Sequence, residues 1–179
     1  EYSSVYDEAW HRAFQEEFNL KKARTNYKKV ITQVKKTWTK SKEKEVMRLL
    51  SKYTGLKWKN KNIIVYFVHK FPFGGMSDPL TIRITGMDGT KRISSCLVHE
   101  LAHVLSWQNW TKMKKLHQHL ASLFPHEKWN IIKHIYICAL ERRVCSEVFK
   151  DKYYESFLEK AGRAPLNGRA YRIVDEIYP

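Results

Sequence analysis

The sequence predicts a mainly helical α+β fold, with a small antiparallel sheet next to a helix that carries H-E-x-x-H. Three observations predict it. Apolar side chains recur at three- and four-residue spacing over most of the 179 residues. Two short β-branched and aromatic runs stand at 62–71 and 80–85. Between the second run and the long helical tail lies Cys96-Leu97-Val98-His99-Glu100-Leu101-Ala102-His103-Val104-Leu105, uninterrupted by Pro or Gly.

In chain order, residues 3–19 read as a helix through Val5, Ala9, Trp10, Ala13, Phe14 and Phe18, with Ser4 and Asp7 as a capping pair and Asn19 at its end. Residues 20–53 continue at helical period through Tyr27, Val30, Ile31, Val34, Trp38, Val46, Leu49 and Leu50. A break is expected near 39–41 and a stop at Gly55. Asn62–Phe71 reads as a strand, Pro72-Phe73-Gly74-Gly75 as a turn, and Leu80–Thr85 as a second strand with one face exposed. Asp88-Gly89 then turns the chain into a helix starting near 90–94. Trp110–Phe124 predicts a helix burying Trp110, Met113, Leu116, Leu120 and Leu123, broken by Pro125. Residues 126–150 predict another helix, and 151–160 and 168–177 weaker ones. No linker rich in Pro, Gly or Ser divides the chain. It therefore reads as one compact domain: a basic helical segment at 1–61 and a catalytic region at 62–179.

Composition narrows the class. A hydrophobic content of 43% excludes a disordered chain. No apolar run reaches the roughly 18 residues of a membrane span, and no secretory signal pattern opens the sequence. Cys96, Cys138 and Cys145 form no C-x-x-C pair and sit among apolar residues. Free buried thiols in a reducing compartment, hence a cytoplasmic location, are expected. The formal net charge of +15 is uneven: residues 1–19 hold five acids and one Arg, while 20–61 hold fifteen Lys and Arg against two Glu. A solvated helix face is the reading for that Lys-rich block, with nucleic acid as a partner in the alternative.

The chemistry centres on the H-E-x-x-H helix. Residues four apart share a helix face, so His99 and His103 can both reach one zinc ion at about 2.0–2.1 Å. Glu100 sits beside the metal without ligating it and is placed to take a proton from the attacking water. A third ligand is required. On a helical wheel of 126–150, His134, Ile137, Cys138, Glu141, Val144, Cys145 and Val148 share one arc. Glu141 lies in that apolar stripe, where an unpartnered carboxylate is costly, and is the expected ligand. His134 on the same arc is the alternative, with Glu147 and Cys138 behind it. His117, His119 and His126 read as surface positions, and Tyr136 or Tyr153 as groups able to steady an oxyanion. The strand ahead of the motif, with Leu80, Ile82 and Ile84, offers an edge to which a peptide substrate could add.

This arrangement resembles the zincin metallopeptidases, and within them the gluzincins. The two strands, V-H-E-L-A-H-V-L and a later Glu-bearing helix are similar to the small peptidases called minigluzincins, over about residues 62–150. The resemblance implies zinc on His99 and His103, Glu100 as general base and acid, Leu80–Thr85 as the substrate-aligning edge strand, and a terminal segment such as 163–179 able to cover the cleft. The usual short spacing to an N-E-x-x-x-D helix is missing, which leaves a His-ligated site open. The expected function is zinc-dependent hydrolysis of peptide bonds. The alternatives are a basic nucleic-acid-associated protein, or a catalytically silent zincin used for protein contacts.

Overall fold

The computed structural model describes residues 1–60, 62–85, 90–150 and 168–177; within them, the side chains of 90 and 91 are not described. Asp88-Gly89, the expected helix at 151–160 and Tyr153 fall outside the described residues. The elements run α1 (Ser4–Ala13), α2 (Leu20–Thr37), α3 (Lys40–Thr54), β1 (Tyr66–Val68), β2 (Gly75–Ser77), β3 (Leu80–Arg83), α4 (Thr90–Gln108), α5 (Trp110–Leu123), α6 (Trp129–Phe149) and α7 (Gly168–Ile177). The chain is mainly helical with one small sheet, as its periodicity predicts. No described helix is long and apolar enough to cross a membrane.

The chain divides into two compact units, residues 1–44 with 60–104 and residues 45–59 with 105–179. Helices α3 and α4 each run from one unit into the other.

In the first unit, α1 begins at a Ser3 cap whose hydroxyl accepts from the Tyr6 amide. It is shorter than predicted, and Asp7 is not half of a capping pair: its side chain is fully buried and turned to the sheet. Asn19, expected to end this helix, instead caps the next one, accepting from the Lys22 amide at 2.9 Å. The sheet has the order β1-β3-β2. It is mixed rather than antiparallel, since β3 runs parallel to β1 and antiparallel to β2. Asp78 and Pro79, joined to each other by a cis bond, connect β2 to β3. Tyr2 bridges the far side of β1 at Phe67.

Strand β3 is therefore central, and both of its edges are paired. Leu80, Thr81 and Ile82 are buried, as is Ile84 just after the strand, so the expected alternation of a buried and an exposed face is absent. The prediction that Leu80, Ile82 and Ile84 form a substrate edge is corrected by this pairing. Among the described residues the sheet edge left without a paired strand belongs to β2, whose first residue, Gly75, ends the segment read from sequence as a turn. Phe67, Val68, Phe71, Ile82, Val98 and Ala102 lead the unit's core.

In the second unit, α6 packs against α5 and α7. Gly55 follows α3 at φ 66°, a conformation that favours glycine and stops the helix. Ile132, Ile135, Ile137, Cys138 and Val144 of α6 are buried, alongside Ala170, Tyr171, Ile173 and Val174 of α7. On α5 the core residues are Met113 and His117, whereas Trp110, Leu116 and Leu123 are exposed. His117, expected at the surface, is thus interior. Its ring lies among Trp110, Trp129 and Tyr136, with centroids 5.7, 5.6 and 5.4 Å away. Burial and the charge of Lys133 hold its pKa below the usual histidine value. All three cysteines are free thiols, and Cys138 and Cys145 are buried.

Candidate metal centre

The motif lies in the second half of α4, with Val98 and Ala102 in the core. Helical geometry then sets the two imidazoles side by side: the His99 and His103 ring centroids are 5.0 Å apart. His99 is buried and His103 partly so. Glu100 is only 7% exposed, which removes it from the class of solvated helix carboxylates.

The wall against Glu100 is backbone. A Cβ added at Gly75 of β2 would stand 2.8 Å from Glu100 Cγ, 2.9 Å from Glu100 Oε1 and 2.9 Å from Cys96 Sγ. Only a residue without a side chain lets β2 approach the motif this closely. Sequence reading missed this strand. The second glycine of Gly74-Gly75 was the available signal, since an isolated close approach of backbone is one reason for glycine in a strand.

Among the described residues, His99, His103 and His134 are a group that could hold a metal ion. His134, one residue into the second turn of α6, directs Nδ1 to the Asn130 carbonyl at 2.5 Å. A carbonyl only accepts, so the proton sits on Nδ1 and Nε2 carries the lone pair a metal requires. The donor set suits zinc: three neutral imidazoles are a known catalytic ligand class that leaves a fourth position open.

Glu141, the expected third ligand, is not in this group. It is buried, as the wheel predicts, but its carboxylate accepts a 2.6 Å hydrogen bond from the Tyr171 hydroxyl of α7. The need for a partner, which pointed to a metal, is met by a phenol from a helix 30 residues further on. Glu147 is exposed and engaged by Tyr53 and by Arg143 at 2.6 Å. Cys138 is fully buried, and burial followed by the charge of Glu141 pushes its thiol well above the ordinary value, which disfavours the thiolate a metal would need. His119 and His126 are exposed. Burial pushes the Tyr136 phenol up to about 12 despite its hydrogen bond with Ser106, so it stays protonated at neutral pH and remains a donor.

No known protein family, curated protein or solved structure matches this chain. Its functional reading rests on the residues themselves.

Proposed function

We propose that this chain is a zinc-dependent peptidase of the zincin type, with His99, His103 and His134 as ligands and Glu100 as general base and acid. The observation that carries the reading is the H-E-x-x-H face of α4: two adjacent imidazoles with a nearly buried carboxylate beside them. The three-imidazole group supports a His-ligated site over the Glu141 version. When bound, zinc would polarise a carbonyl and lower the pKa of water.

The chain's own residues supply the remaining functions. Glu100, with Gly75 of β2 close against its side chain, removes a proton from the attacking water and returns it to the leaving amine. The Asn130 carbonyl fixes the His134 tautomer. The free edge of β2 offers main-chain groups to an extended peptide, and Gly75 puts that strand directly against Glu100. The peptide-aligning role expected of β3 moves to β2 for this reason.

The test pairs metal content with hydrolysis of a quenched-fluorescent peptide library. Glu100→Gln is expected to keep stoichiometric zinc and lose at least about 100-fold in turnover. His134→Ala is expected to lose zinc, and Glu141→Ala to keep it. A wild-type chain that takes up no zinc from a zinc-replete buffer, or a Glu100→Gln variant as active as wild type, overturns the proposal.

A further inference from the structure

Helix α2 carries a surface that peptide hydrolysis does not use. Lysines stand in adjacent pairs at 21–22, 28–29 and 35–36, each pair seven residues after the last. Seven residues are almost two full turns, so the pairs line up as two rows along one side of the helix. Lys21, Lys28 and Lys35 form one row, and Lys22, Lys29 and Lys36 the other. All six are exposed, as is Arg24 beside the first row. Between the rows lie Thr25 and Thr32, whose hydroxyls donate to the Lys21 and Lys28 carbonyls at 3.0 and 2.8 Å. That side of the helix holds no apolar or aromatic side chain.

A solvated face kept for stability would mix in acids. Helices α1, α3 and α6 do so, with the ion pairs Arg12–Glu8, Arg48–Glu45 and Arg143–Glu147. Leu20–Thr37 contains no Asp or Glu, and none of its seven cations makes an ion pair among the described residues. Lys21 and Lys22 also set positive charge against the positive end of the helix dipole, and Arg24 and Lys28 are like charges one turn apart. Each of these placements lowers the stability of the helix, so a solvated face does not account for them.

The chemistry of the partner follows from what the rows lack. The apolar side of α2 is taken up by its own unit: Ala23 and Val34 are buried, and the Tyr27 ring meets those of Tyr2 and Phe67 at 5.1 and 6.3 Å. The helix therefore has no apolar face to lay into a lipid surface, as a membrane-bound amphipathic helix needs. Protein interfaces are depleted in Lys and built around aromatic anchors, which are missing from this side. Single-stranded nucleic acid needs stacking platforms, also missing. What fits is a polyanion of regular charge that asks for no apolar contact. A nucleic-acid duplex carries one phosphate per about 1.7 Å of its axis, and α2 is about 27 Å long.

We propose that the two lysine rows of α2 bind the phosphate backbone of a nucleic-acid duplex without reading its sequence. The ammonium groups pair with phosphate oxygens and displace counterions, so affinity falls steeply with salt.

The experiment follows the anisotropy of a fluorescent random-sequence duplex of about 20 base pairs, as DNA and as RNA, titrated with the full chain at about 50–200 mM salt. Kd below about 10 µM at the lowest salt is expected for at least one duplex, and the tighter of the two names the form bound. Log affinity should fall against log salt with a slope of at least about 3. Lys21→Gln, Lys28→Gln and Lys35→Gln made together keep the helix propensity and should weaken binding at least about tenfold, with the slope lower by about 2–3. The control removes the same charge elsewhere: Lys112→Gln, Lys115→Gln and Lys128→Gln, all exposed, should change Kd by less than about threefold. The proposal is overturned by Kd above about 10 µM for both duplexes, by an affinity indifferent to salt, or by equal losses in the two triple variants. Phosphatidylserine vesicles or polyglutamate bound as tightly as the duplexes also overturn it, in favour of a membrane surface or an acidic protein. Zinc content should be the same in both triple variants as in wild type, so this surface and the metal reading can fail separately.

Discussion

Replacing Gly75 by Ala tests the packing that fixes Glu100. The added Cβ would lie 2.8 Å from Glu100 Cγ, against the roughly 3.5–4.0 Å at which carbon atoms attract. About 1 Å must be recovered by movement. The strand has little room to retreat, because Gly75 is paired with Ile82 of the buried central strand. Cys96 Sγ, 2.9 Å from the new atom, blocks an escape to the side. The carboxylate of Glu100 therefore yields, by about 1 Å, and misplacement on that scale costs about 100-fold in turnover. Overpacking should cost about 1–3 kcal/mol of stability as well, or roughly 3 °C in melting temperature per kcal/mol for a chain of this size. The metal should stay, since the three atoms nearest the added Cβ belong to Glu100 and Cys96 and not to an imidazole. The assay is thermal unfolding, zinc content and library hydrolysis on the same preparations. Adding Cys96→Ala should return part of the lost stability but not the turnover, because the contacts to Glu100 remain. A Gly75→Ala variant that melts and hydrolyses like wild type would refute the claim that β2 holds this carboxylate in place.

Other expectations follow from single contacts. The carboxyl of Asp7 is held below its usual value in the folded chain, so its contribution is complete above the ordinary aspartate pKa of about 3.9 and is lost as pH falls through the folded value. Asp7→Asn should lower stability at neutral pH by about 3 kcal/mol and flatten the acid limb of the stability curve below about pH 4, as measured by denaturant unfolding across pH. Tyr171→Phe removes the donor to Glu141 and should cost about 1–3 kcal/mol in the same measurement while leaving zinc content unchanged; loss of zinc would reopen Glu141 as a ligand. Asn19→Ala should destabilise by about 1 kcal/mol through loss of the α2 cap, with Asn19→Ser restoring most of it.

Nearest-neighbour chemistry determined a good deal of this protein. The 3.6-residue period set out α2 to α6, the break before Lys40 and the glycine stop at Gly55. The four-residue spacing of His99 and His103 needs nothing beyond one helix to put two imidazoles together. The wheel also put Glu141 inside, and it is buried. Tertiary structure alone decided the rest, because the deciding partner in each case lies far along the chain. Gly75-Met76-Ser77 has no strand signature and becomes β2 only by pairing with β3. Leu80–Thr85 reads as an exposed edge until strands form on both sides of it. Asp7 resembles a capping residue until His69, 62 positions away, takes its carboxylate. Glu141 looked like a residue in want of a metal, and sequence could not tell that Tyr171 would supply the proton its carboxylate needs. Burial of a polar group states that a partner must exist; only the folded chain names it.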